Sequence, residues 1–357
     1  MADLVALAKA LEETVELRLG GAVYSAWDEV TVTRSMEGLS GSFSLVLAAQ
    51  DMTDAAEFKI RKGQRCIVQI GGEIVINGWI DAVYPSISGE QHKIRVAGRD
   101  RTADLADCSA IHKPGSWINT KLEAIAAELV KPFGIKVTVT ASGGTGAPIR
   151  KFAIQQGETV QSALERLLRF RGLLMVADGN GDLEIITPAE AAPIATLELG
   201  VNILEANGSF DDRERFSDYV VKGQASGGDD HNGAAVAQIR GTAKDAGVER
   251  YRPFLVIAEE QSDGASATVR AKFEAGVRAG RSVNGSIVVP GWRSTPGGPL
   301  WRPNVRVKVK CAPVQLPDEI MLVPAVTLTK GEKGTTATIT VLPPEAWKQL
   351  AQPEARR

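Results

Sequence analysis

Short runs in which apolar and polar residues alternate, each cut off by glycine, occupy both ends of this chain, and that period of two commits most of it to sheet. Val15-Glu16-Leu17-Arg18-Leu19 alternates strictly, Gly20-Gly21 turns the chain, and Val30-Thr31-Val32-Thr33 alternates again. Phe43-Ser44-Leu45-Val46-Leu47 is a further strand. Residues 66–70, a Gly71-Gly72 turn and residues 73–80 form a hairpin, and 92–96 closes the set. Short strands joined by tight turns build a small antiparallel barrel or sandwich. Residues 4–11 have the spacing of a short helix.

The period changes after Arg99. Thr120 and Glu123 stand at the spacing of a capping box, with Leu122, Ile125, Ala126 and Leu129 following at helical intervals. Pro132 and Gly134 end that helix, and residues 135–139 read as a strand. A second helix over 159–171 presents Val160, Ala163, Leu164, Leu167 and Leu168 on one face, and two strands follow around the Asp178-Gly179-Asn180-Gly181 turn. Sheet returns in the last third, with a helix over 265–281 offering Val269, Phe273 and Val277 for packing. Gly227 to Gly233 reads as an exposed loop.

The expected division is a first β-barrel over 1–100, an α+β domain over 101–190, a second barrel from 191–225 and 300–345, an inserted α+β domain over 226–299, and a tail over 346–357. The order of elements near 61–97 repeats near 302–342. Either the chain contains a duplicated barrel, or two ordinary hairpins look alike.

Composition excludes several classes. At 357 residues the chain exceeds a single core. A formal net charge of −2 argues against a dedicated nucleic-acid binder, and no apolar run approaches the ~20 residues that span a bilayer. The three cysteines, Cys66, Cys108 and Cys311, suit buried thiols in a reducing compartment better than a disulfide framework. His92, His112 and His231 belong to no metal or nucleophile motif, and Asp229-Asp230-His231 reads as a solvated loop rather than an ion site. No Cys-x-x-Cys, Gly-x-Ser-x-Gly or P-loop lysine occurs. No active site, cofactor or metal is expected.

Two segments carry a resemblance. One runs Val289-Pro290-Gly291-Trp292-Arg293, then Gly297-Gly298-Pro299-Leu300-Trp301-Arg302-Pro303-Asn304, and opens the strand Val305-Arg306-Val307-Lys308-Val309-Lys310. The other is Gly98-Arg99-Asp100-Arg101-Thr102-Ala103-Asp104-Leu105-Ala106-Asp107-Cys108-Ser109. Together, with the 98–109 segment preceding the 289–310 segment in the chain, they resemble signatures of phage baseplate hub proteins, the Mu-type tail protein P family, which is similar to the T4 baseplate hub and to the hub part of type VI spike proteins. The resemblance implies a mainly β fold with α+β insertions: two related antiparallel β-barrel tube domains plus smaller α+β domains. It also implies a non-enzymatic homotrimer in the virion, at the baseplate of a contractile tail assembled in the host cytoplasm. Such a ring adapts the sixfold tail tube on one face to the threefold membrane-piercing spike on the other. It contacts other baseplate proteins, admits DNA only as transient cargo, and does not insert into membrane.

Each signature residue also has a plain physical reading. Arg99, Asp104 and Asp107 fix a turn at a domain junction rather than bind a partner, and Gly98 opens that signature. Trp292 and Trp301 are either core beneath a Pro-rich loop or anchors of an interface; Asn304 opens the following strand. Arg306, Lys308 and Lys310 share one sheet face, which is a solvated surface, a seat for an acidic partner, or a wall of a DNA conduit. The competing function is a peptidoglycan hydrolase or glycan-binding tail protein, which requires a carboxylate pair in a cleft or an aromatic platform.

Overall fold

A computed structural model describes residues 13–48, 59–88, 92–224, 239–261, 264–316, 318–332 and 334–351. The expected 4–11 helix, the Gly227–Gly233 loop with His231, and the end of the tail lie outside the described residues.

The first alternating runs become β1 (Val15–Leu19), β2 (Ala22–Tyr24), β3 (Glu29–Ser35), β4 (Ser42–Ala48), β5 (Arg65–Ile70), β6 (Glu73–Ile87) and β7 (His92–Asp100). They pair antiparallel in the order β3-β4-β7-β6-β5-β1-β2. Alternation does what the period demands: Leu17, Val32, Leu45, Val68 and Val96 are buried on one face while their neighbours stay part-exposed.

The middle region follows as α1 (Ala103–Asp107), β8 (Ser116–Thr120), α2 (Leu122–Val130), β9 (Val137–Val139), β10 (Ile149–Ala153), α3 (Val160–Arg169), β11 (Leu174–Ala177) and β12 (Leu183–Ile186). β8 and β10 make a ribbon, and β11-β12-β9 a second small sheet. The predicted apolar face of α3 is buried, and Thr159 caps its first turn by accepting from Ser162 N at 3.2 Å. The Thr120–Glu123 capping box does not form. Thr120 is held in β8 opposite Ile149, so the cap position falls to Lys121 and the Glu123 carboxylate instead accepts from the Thr145 hydroxyl.

The rest comprises β13 (Ala195–Glu198), β14 (Glu205–Phe210), β15 (Asp218–Gln224), β16 (Ile239–Lys244), β17 (Pro253–Gln261), α4 (Gly264–Arg281), β18 (Val283–Pro290), β19 (Val305–Lys310), β20 (Ile320–Gly331) and β21 (Gly334–Leu342). Two expectations change here. β15 belongs to the small sheet β16-β15-β17, and β18 to the large one, so the boundaries drawn at 225/226 and 299/300 each cut through the wrong strand set. Helix α4 packs through Ala267, Ala271 and Ala275 and buries Val277 as expected, whereas Val269 is 53% exposed. The alanines win because the helix lies directly on Gly241, where a Cβ would stand 2.1 Å from the Ala267 carbonyl carbon.

The large sheet settles the question of duplication. In the first half the neighbours run β5·β6·β7·β4·β3, and in the second β19·β20·β21·β18·β14, antiparallel throughout. Both long strands, β6 and β20, carry an irregularity partway along. The halves are not separate bodies. β3 pairs with β20 from Ala325↔Ser35 to Lys330↔Val30, giving one 13-stranded sheet whose core runs from Leu17 and Leu45 to Val307 and Ile339. The fold is thus mainly β with α+β insertions, as expected.

Candidate assembly surfaces and junctions

The first signature sits where the large sheet gives way to the middle unit. Gly98 is required by space: a Cβ there would lie 2.1 Å from Trp79 O and 2.8 Å from the Phe43 ring. Arg99 binds Asp81 at 2.7 Å and Asp107 at 2.8 Å, tying β6 to the end of α1. The Arg99 bond holds the Asp107 carboxyl below the usual carboxylate range, while burial pushes that of Asp104 up. Asp100 lies deeper, 1% exposed, and accepts from Gly41 N at 2.5 Å, Thr102 N at 2.9 Å and the Thr102 hydroxyl at 2.5 Å. Burial raises its carboxyl to about 6 despite those bonds and the nearby Arg34 guanidinium, itself pulled down by burial. Next along, Arg101 donates to Gly134 O and Asn180 O, both at 2.9 Å, and to Asp182 at 2.7 Å. These four consecutive residues are therefore a clamp between two units.

The second signature is a clamp as well. Trp292 is 1% exposed and Trp301 3%, so both indoles are core of this chain and neither is free to anchor a partner. Trp292 Nε1 donates to Thr329 O at 3.0 Å and Thr336 O at 3.1 Å, clasping the β20–β21 hairpin. Asn304 takes φ 57°, accepts from Ala189 N at 2.7 Å and donates to Thr187 O at 3.1 Å, fastening the segment that leaves the middle unit. Arg293, in the same signature, links distant parts of the chain. It binds Glu13 through two bonds of 2.9 and 2.8 Å and Glu73 at 2.6 Å, joining residues 280 and 220 positions away. No spacing rule reveals such a partner.

Arg306, Lys308 and Lys310 do share the half-exposed face of β19. The two lysines are paired with carboxylates, Lys308 with Asp318 at 3.5 Å and Lys310 with Glu198 at 3.0 Å, while Arg306 donates to the backbone carbonyl of Glu190 at 3.2 Å. The Glu198 carboxylate holds the Lys310 ammonium above its ordinary range. The face is an alternating-charge surface rather than a cationic track.

Among the described residues no group of three His, Cys, Asp or Glu side chains is placed to hold a metal ion, and no helix is long and apolar enough to cross a membrane. A cavity of about 180 Å³ between α3 and β11 is lined by Met36, Leu39, Leu168 and Met175 together with the polar side chains of Glu37, Gln161, Glu165 and Arg169. What remains is a scaffold whose polar machinery joins its own parts.

Scaffolds of this architecture are found in phage tail baseplates. Family models described as Mu phage baseplate assembly protein GpP-like, N-terminal, match residues 14–100; baseplate hub protein gp44-like, second domain, residues 102–187; and Mu phage baseplate assembly protein GpP, fourth domain, residues 263–350. The baseplate hub protein gp44 of Escherichia phage Mu is 35% identical over 343 residues, 94% of this chain and 89% of that protein. The chain belongs to this family of baseplate hub proteins, which are structural and not enzymes. The 43 kDa tail protein of prophage MuSo2 from Shewanella oneidensis has the same fold with a TM-score of 0.84 at 35% identity, covering 95% of this chain and all of the other. At 13% identity and a TM-score of 0.56, the E. coli c3393 protein shares the fold over 95% of this chain and 80% of its own. It is described as a type VI secretion component structurally similar to T4 tail proteins gp27 and gp5.

Proposed function

We propose that three copies of this chain form a ring that adapts the sixfold tail tube to a threefold spike, with DNA passing through its lumen. The carrying observation is the repeat of strand order. One chain holds two copies of the same sheet unit joined edge to edge, so three chains present six similar units around one axis. Tube protein meets the sixfold-like face and a separate spike protein the other, with further baseplate proteins around them, and the whole is built in the host cytoplasm before it becomes part of the virion. The junction role of Gly98, Arg99, Asp104, Asp107 and Asn304 is to hold the units in the one relative placement that such a ring accepts.

The lumen reading draws support from the solvent face of β3, β20 and β21. Thr31, Thr33, Thr327, Thr329, Thr336 and Thr338 stand side by side there, part-exposed, with Thr33 and Thr327 hydroxyls 3.2 Å apart and those of Thr329 and Thr336 2.8 Å apart. A face without cations gives a polyanion no charge to hold it, and one without large apolar groups gives protein no anchor. It suits a wall past which a polyanion slides, better than the paired lysines of β19. Electron cryo-microscopy of tails containing the chain tests the reading: threefold density at the tube–spike boundary is expected, and a closed dimer or a position outside the axis would exclude it.

A further inference from the structure

We propose that β14 of one copy pairs with the second half of β6 of the next, and that this strand pairing is the contact that closes the ring. The proposal rests on the ring reading above and supplies its interface. Within the chain, β3 ends the first repeat and pairs with the second half of β20, the long strand of the second repeat, beyond its irregularity. In the repeat, β14 takes the place of β3, and β6 the place of β20. Among the described strands β14 pairs only with β18, and β6 past Ile80 pairs only with β7. Each chain therefore contains one completed junction and the two halves of a second. These halves lie on different surfaces, so they join head to tail, the arrangement that generates a ring.

Exposure marks the same two places. The burial alternation of β6 stops after Ile80, and Tyr84 to Ile87 are exposed on both faces, Tyr84 at 50% and Ile87 at 83%. β14 is exposed along nearly its whole length, with Phe210 at 50%. Open edges carrying apolar side chains are ordinarily covered.

The repeat also fixes the register. Val83, Val96, Leu45 and Val30 form a row across four strands, and Val326, Ile339, Ile287 and Ala206 form the equivalent row. Transferring the in-chain pairs Val326↔Arg34 and Lys330↔Val30 sets Val83 opposite Phe210 and Ile87 opposite Ala206. Between them Tyr84 faces Ser209 and Ser86 faces Asn207. Pro85, which has no N–H, falls opposite Gly208 and shortens the ladder by at most one bond.

Cysteine cross-linking in assembled tails tests this, in a Cys108→Ser background because Cys108 is exposed. Ser86→Cys/Asn207→Cys should oxidise to covalent dimers and trimers, roughly tenfold above the offset pair Tyr84→Cys/Asn207→Cys, since facing Cβ atoms lie within disulfide reach and offset ones do not. Thr33→Cys/Thr327→Cys, which should close within one chain, reports that oxidation has worked. If the double variant does not enter tails, the two single variants mixed in one preparation probe the same contact. No cross-link in tails that show a threefold ring of this chain, or equal yields from aligned and offset pairs, would overturn the pairing. Tails without such a ring would overturn the ring reading itself, and the pairing with it.

Discussion

Trp292 offers the sharpest test of how the second signature works. Its Nε1–H is shared by two carbonyls on opposite strands of the β20–β21 hairpin, and its indole is enclosed. Trp292→Phe keeps a ring but deletes that donor, costing about 1–2 kcal/mol for the carbonyls left short of a partner. The vacated volume adds about 1 kcal/mol, for a total of about 2–3 kcal/mol. Trp292→Ala removes the whole side chain and should cost about 3–5 kcal/mol. Trp301 is the internal comparison: it is equally enclosed, yet its Nε1 has no partner among the described residues. Trp301→Phe therefore forfeits volume alone, about 1 kcal/mol. At about 2 °C per kcal/mol for a chain of this size, calorimetry should show melting temperatures lowered by about 4–6 °C, 6–10 °C and 2 °C respectively. Equal losses for the two Trp→Phe variants would refute the clasp and leave both tryptophans as mere filling.

Three further outcomes follow from the junctions. Asn304→Ala loses two side-chain bonds and puts at φ 57° a residue that tolerates the left-handed region less well than asparagine, so it should cost about 2–3 kcal/mol, whereas Asn304→Gly relieves the backbone part and should recover about 1 kcal/mol on the same melt. Arg101→Ala leaves the Asp182 carboxylate without its counter-charge, held among the described residues only by the Lys136 N–H, at the interface between the large sheet and the middle unit; a loss of about 3 kcal/mol is expected, with faster limited proteolysis near residue 101. Asp100 has a folded-state carboxyl pKa of about 6, above its ordinary value of 3.8, so the folded chain holds the proton more tightly than the unfolded one. Its stabilising contribution is full below about pH 4 and declines as pH rises through 6. The advantage of the parent chain over Asp100→Asn in urea unfolding should accordingly be larger at pH 5 than at pH 7, and a larger advantage at pH 7 would reverse the sign assigned here.

How legible the chain was depends on the reach of each interaction. The buried face of α3 and the Thr159 cap were plain because every partner lies within a few residues. The Thr120–Glu123 box was equally plain and did not form, because the β8–β10 ladder had prior hold of Thr120. Val269 was a reasonable packing residue until the close seat of α4 on Gly241 favoured alanine. The roles of Arg293 and Arg101 were invisible, since their acceptors come from distant strands and turns. The threonines of β3 and β21 alternate in full view, but nothing local says that β20 lies between them.

The sequence by itself determined the mainly β class, the positions of most strands, the helix–strand middle unit and the family, because periodicity and short signatures are local properties of a chain. Only tertiary structure decided that the two repeats share one sheet, that both tryptophans are core, and that the β19 lysines are paired with Glu198 and Asp318. Those outcomes rest on which strand edges meet. A strand edge offers the same row of N–H and C=O groups whatever its side chains, so its partner is chosen by the geometry of the whole fold.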